Sequence, residues 1–127
     1  MNIVDSCGWL EYIADGPNAS FFAGALEDVP QLIVPSISLY EVYKRVLQQR
    51  GEDMARQVVA AMMQARVVDL DAEIAVIAAA LAAETKLPMA DSVMLATARL
   101  HGATLWTQDA DLEGFADVAF VSKRVNG

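Results

Sequence analysis

The sequence holds one cysteine and one histidine, Cys7 and His101, in 127 residues. A single cysteine excludes an internal disulfide and fits a cytoplasmic location. One residue of each kind leaves no ligand set for zinc. A Ser-His-Asp or Cys-His nucleophile would have to recruit His101, which stands just before Gly102 and suits a helix C-terminus. Cys7 lies two residues from Asp5, whose charge raises a thiol pKa and so disfavours the thiolate. No Gly-rich phosphate loop follows the first apolar segment, because Asp5-Ser6-Cys7-Gly8 has neither of the usual spacings. Long apolar runs are missing too. The longest, Ile74 to Ala83 between Glu73 and Glu84, is about half the roughly 20 residues of a membrane span. The start, Met-Asn-Ile-Val-Asp, has no basic n-region, so no secretory leader is expected. Positive charge is scarce: 9 Lys and Arg stand against 17 Asp and Glu, for a formal net charge of −8. That argues against a basic domain that tracks phosphates through Lys and Arg contacts. It does not exclude an acidic site working through bound cations, which invert the local charge.

What is present is apolar. Hydrophobic residues make up 55% of the chain and the mean hydropathy is +0.32. The length suits a single domain, residues 1–127, around one core. The excess of apolar surface points to a homodimer or a tightly held partner. The few cations cluster: Lys44, Arg45, Arg50, Arg56 and Arg66 fall in one middle section and form either a local basic rim or a solvated helical face.

Short apolar strands alternate with helices along the chain. Asn2 to Ser6 reads as a strand and Trp9 to Ile13 as a helical face, broken at Asp15-Gly16-Pro17-Asn18. A helix over 19–27 leads to a strand at Leu32-Ile33-Val34. Helices over about 38–49 and 52–64, joined at Gly51, form an antiparallel pair that stands off as an arm. A strand over 66–70 follows, then an Ala-rich helix over 72–84 capped by Asp71. A helix over 90–100, strands over 103–107 and 118–121, and a tail from Ser122 to Gly127 complete the chain. This alternation predicts a central parallel sheet in an α/β fold.

Such sheets place chemistry just outside the carboxyl ends of their strands. Asp5 closes the first strand, and Asp109 and Asp111 follow the fourth. Glu41 and Asp91 open helices that leave the same edge. Each has an ordinary alternative. Asp5 and the Asp109/Asp111 pair are turn formers. Ser38-x-x-Glu41 matches a capping box, which would set Glu41 in the first turn of its helix. Asp91 complements a helix dipole. Taken together, the acids predict an all-oxygen pocket for Mg²⁺ or Mn²⁺.

Four stretches, in this order, resemble the PIN-domain ribonucleases and within them the VapC-type toxins. They are Ile3-Val4-Asp5-Ser6, Ser38-Leu39-Tyr40-Glu41-Val42, Ala90-Asp91 through Ala98, and Leu105 through Leu112. Cys7 and Leu112 depart from the family pattern. The resemblance implies a three-layer α/β/α sandwich with a five-stranded parallel sheet. It implies a Mg²⁺- or Mn²⁺-dependent endoribonuclease, homodimeric and held inactive by a cognate antitoxin. Asp5, Glu41 and Asp91 match the three core acidic positions, Asp109 the more variable fourth, with Asp111 assisting or replacing it. Ser6 and Thr107 match polar positions beside the first and fourth acids. An antitoxin groove is expected around Tyr40, Tyr43, Leu47 and Met62. Two other classes stay open at this point. A phosphotransfer or phosphatase-type domain also carries acids at strand ends, although Cys7 stands where a second Asp is wanted. A non-catalytic module on the same fold would show no response to Mn²⁺.

Overall fold

A computed structural model describes residues 1–124; the last three residues of the expected tail lie outside the described residues. Five strands, β1 (Asn2–Val4), β2 (Leu32–Pro35), β3 (Arg66–Val68), β4 (Thr104–Thr107) and β5 (Val118–Phe120), form one sheet in the order β3-β2-β1-β4-β5. Every pairing is parallel. Six helices cover it: α1 (Ser6–Ile13), α2 (Ala19–Glu27), α3 (Ser36–Arg50), α4 (Glu52–Met62), α5 (Ala72–Thr85) and α6 (Met89–His101). No described helix is long and apolar enough to cross a membrane.

The period of two along each strand divides the core into two layers. Ile3, Ile33 and Leu105 pack with Ile74, Ala78, Leu81, Met94 and Leu95 of α5 and α6. Val4, Leu32 and Val34 face the other way, into Trp9, Phe22, Val42, Val46, Ala55 and Met62 of α1 to α4. The molecule is thus the expected α/β/α sandwich, with strands buried on both faces as parallel strands require. The α3–α4 pair is the expected arm, and its inner face is anchored in this second layer through Val42, Val46, Ala55 and Met62. Gly51 joins the two helices at φ 86°, a conformation that side chains rarely adopt.

Element ends differ from the sequence reading at instructive places. The first strand stops at Val4, because Asp5 turns out of the sheet to cap α1. α3 begins at Ser36, with Pro35 as its N-cap. The third strand stops at Val68, and the Leu70 N–H goes to Ser36 Oγ at 3.2 Å.

The chain steps outward from β1 through β2 to β3, then returns to the opposite side of β1 as β4 and β5. The connection after β1 covers one face, and the helices leading into β4 cover the other. A crevice therefore opens at the carboxyl ends of β1 and β4, where an open α/β sheet binds its ligands.

Candidate metal centre

Three carboxylates meet in that crevice. Asp5 leaves β1, Asp109 follows β4, and Asp91 lies in the first turn of α6. One oxygen from each lies within 4.8 Å of the others. Asp5 and Asp91 are buried, at 5% and 7% exposure, and Asp109 is half-buried.

Hydrogen bonds hold both oxygens of Asp5. Its Oδ1 accepts the Ser6 N–H at 2.8 Å, and its Oδ2 accepts the Thr107 hydroxyl at 2.8 Å. The Cys7 thiol adds a weak interaction with Oδ2 at 3.6 Å. Thr107 is fully buried, and its Oγ1 also accepts the Asp109 N–H at 2.9 Å. This one hydroxyl therefore fixes two members of the trio relative to each other. Asp109 Oδ1 in turn accepts the Asp111 N–H at 3.0 Å.

The electrostatics are those of crowded, uncompensated negative charge. Burial raises the Asp5 pKa above the ordinary carboxylate value, with Glu41 and Asp109 adding to the rise. The Asp91 carboxyl is pushed up to about 7, chiefly by burial and then by the charges of Asp109 and Asp5. Burial and the Asp5 charge push the Cys7 thiol up to about 12, so it stays protonated and is no nucleophile at neutral pH. Among the described residues, no lysine or arginine forms an ion pair with any of the three acids. Hard divalent cations take oxygen ligands at about 2.0–2.6 Å, and two oxygens on one such ion stand roughly 3–5 Å apart. The donor set, spacing and missing counter-charge all fit Mg²⁺ or Mn²⁺.

Two more of the acids named from sequence stand beside the trio, outside it. Glu41 lies in the second turn of α3 and does not belong to the trio. The capping box is absent, because Pro35 starts the helix early and the Ser38 hydroxyl points inward to Met94 Sδ at 3.5 Å. Glu41 instead accepts the Ser6 hydroxyl at 2.7 Å, which places it at the rim of the pocket beside Asp5. Asp111 is exposed and acts on the site by steadying Asp109. Of the expected groove residues, Tyr40 and Leu47 are exposed at 64% and 41%, and Tyr43 is half-buried. Met62 is fully buried in the layer under α3 and α4 and cannot line a groove. The apolar face of α4 turns inward at that position.

Asn18 and Gln108 are part of the site's support, a role beyond the helix break that Asn18 marks in the sequence. Asn18 is buried, and its Nδ2 donates to Gln108 Oε1 and to the Ser122 carbonyl, both at 2.9 Å. Its own N–H donates to Glu11 Oε2 at 2.7 Å. These bonds tie the α1–α2 turn to the segment that carries Thr107 and Asp109. An Asn beside a Pro and a Gly reads as plain turn chemistry, so the sequence carries no signal for this role.

Two clefts flank the pocket. One, of about 390 Å³, runs between α1 and α3 past Ser6, Glu41, Lys44 and Arg45. The other, of about 480 Å³, passes Gln108, Asp109, Glu113 and Lys123. Cys7 belongs to both.

The family model for the PIN domain matches residues 3–121. The chain belongs to the PIN domain family. Several solved structures share this PIN fold. A toxin–antitoxin complex from Klebsiella pneumoniae aligns at 26% identity and TM-score 0.77, covering 94% of this chain and 96% of the other. VapC20 of Mycobacterium tuberculosis, a toxin that cleaves the sarcin–ricin loop, aligns at 18% identity and TM-score 0.71 over 93% and 98% of the two chains. VapBC2 from Rickettsia felis, bound to a DNA fragment from its promoter, aligns at 13% identity and TM-score 0.72 over 95% and 97%. No curated protein matches this PIN domain.

Proposed function

We propose that this PIN domain is a divalent-metal-dependent endoribonuclease, the toxin of a toxin–antitoxin pair, acting in the cytoplasm. The observation that carries the proposal is the meeting of Asp5, Asp91 and Asp109 in one crevice, with no basic partner among the described residues. The toxin–antitoxin complex among its structural relatives, and the toxin named for cleaving the sarcin–ricin loop, support the choice of partner and substrate.

The trio would hold Mg²⁺ or Mn²⁺. Such an ion supplies a nucleophilic water near neutral pH and offsets charge on the phosphate oxygens. The remaining roles fall to this chain's own groups. Thr107 keeps Asp5 and Asp109 in register. Glu41, tethered to Ser6, stands at the rim, where it would help hold a second ion or orient a water. Single-stranded RNA is the suited substrate, since its splayed backbone enters an open cleft. Water attack leaves 5′-phosphate and 3′-hydroxyl ends.

The antitoxin would lie along the exposed stripe of α3, over Tyr40, Tyr43 and Leu47, and send an arginine toward the carboxylates. A second copy of the chain would cover the apolar groove between α5 and α6. That groove, of about 310 Å³, is lined by Leu70, Met89 and Val93, and Val76 lies exposed on α5.

The test is cleavage of single-stranded RNA by purified protein. Activity is expected with Mn²⁺ or Mg²⁺, absent with EDTA, and reduced by at least about a hundredfold in Asp5→Asn. Undiminished cleavage by that variant would remove Asp5 from the chemistry and end the reading.

A further inference from the structure

The α1–α3 cleft contains an arrangement that the metal pocket does not use. Lys44 and Arg45 line it, on the side of the pocket marked by Ser6 and Glu41. Both are exposed, and among the described residues neither has a carboxylate within 4 Å. This is unexpected in a chain of net charge −8. Glu41, one turn before Arg45, is the natural helical partner, but it is turned away to Ser6. Tyr40 forms part of the same wall, with its ring 64% exposed and the Lys44 Nζ 5.8 Å from the ring centre. Gln48, one turn further on, adds amide donors and an acceptor. The cleft on the other side of the pocket is different: it offers Lys123 alone, against Asp109 and Glu113.

Two cations with no carboxylate partner among the described residues, an exposed tyrosine ring with Lys44 over one face, and an amide beside a phosphodiester-cleaving pocket have the chemistry of a nucleotide site. We propose that the α1–α3 cleft is a subsite for the nucleotide next to the scissile bond. Lys44 and Arg45 hold its phosphate, and the Tyr40 ring stacks on its base. This rests on the ribonuclease reading and adds a direction to it: the strand leaves the pocket along α3, and the acidic cleft past Glu113 is left to a less tightly held end. A stacking platform accepts any base, so the subsite contributes affinity more than sequence choice.

The test measures binding separately from cleavage. A labelled single-stranded oligoribonucleotide is titrated with the full chain carrying Asp91→Asn, by fluorescence anisotropy, over a range of KCl concentrations. The double substitution Lys44→Ala, Arg45→Ala in that background is expected to weaken binding about tenfold at low salt. It should flatten the log–log salt slope by roughly 0.7 for each phosphate that the chain no longer neutralises. Tyr40→Leu should weaken binding about tenfold with the slope unchanged, and Tyr40→Phe should keep the parent affinity. All three sites are exposed, so melting temperatures should stay at the parent value. Equal affinity and slope in the double variant would overturn the subsite, as would a parent that shows no salt-dependent RNA binding. Unchanged RNA affinity together with abolished antitoxin inhibition would also overturn it and assign the cleft to the protein partner. Failure of the ribonuclease reading shows elsewhere, as absence of Mn²⁺-dependent cleavage by the unsubstituted chain.

Discussion

Thr107 is the residue on which the metal site turns. Its hydroxyl donates to Asp5 and accepts from the Asp109 backbone, in a place from which water is excluded. Thr107→Val keeps the shape and removes both bonds. Groups that orient metal ligands matter about 10–100-fold in affinity. The variant should therefore bind Mn²⁺ at least about tenfold more weakly by calorimetric titration, and equal affinity would show that Asp5 holds its position unaided. Asp91 gives a pH signature. Its pKa, raised to about 7 in the fold, means that the folded state binds a proton that the unfolded state has released near pH 4. Stability of the metal-free protein should consequently fall as pH rises from about 4 to 7, and level off above. The ionised carboxylate is also the form that binds metal. Added Mn²⁺ should thus raise the melting temperature more at pH 8 than at pH 5.5, and a metal-induced shift independent of pH would contradict the assignment.

At the scale of elements, the packing of α1 sets where Asp5 emerges. Gly8 faces the sheet so closely that a Cβ there would stand 2.6 Å from Val4 and 2.7 Å from Phe22. Gly8→Ala must push α1 off β1, and overpacking of this kind costs about 1–3 kcal/mol. Urea unfolding should register that loss, and no change in midpoint would mean that α1 has slack. The sequence discloses this layer unevenly. Asp5 and Asp109 are legible because an apolar run followed by a carboxylate is a pattern of local chemistry, Asp91 because it opens a helix leaving the same edge, and the three come together as expected. The position of Glu41 is misread because two helix starts compete over 35–38. Pro35 has its φ already set and wins over the serine cap. Met62 is misplaced because an apolar residue on an amphipathic helix faces either core or partner, and only the packed neighbours decide. Asn18 and Gln108 are invisible for a third reason: their bond joins segments about ninety positions apart, and neither side chain is unusual where it stands.

The whole molecule shows two faces of unlike character. The α3 side carries the α1–α3 cleft, its two cations and Tyr40, whereas the α5–α6 side carries an apolar groove lined by Met89 and Leu70, exposed at 70% and 42%. Single exposed apolar residues are ordinary, but grouped ones mark an interface. In the homodimer proposed at this groove, Met89→Glu is expected to favour the monomer in sedimentation velocity while leaving the circular dichroism unchanged. A monomeric parent would reassign the groove.

The three carboxylates enter the chain early, late and later still, and the first strand lies between the second and the fourth in the sheet. A polypeptide emerging from the ribosome holds Asp5 from the outset, yet cannot assemble the cation trap until β4 has docked beside β1. Such long-range closure is slow to form. Whatever the trio does, the unfinished chain cannot do it: until β4 docks, the three carboxylates share no crevice.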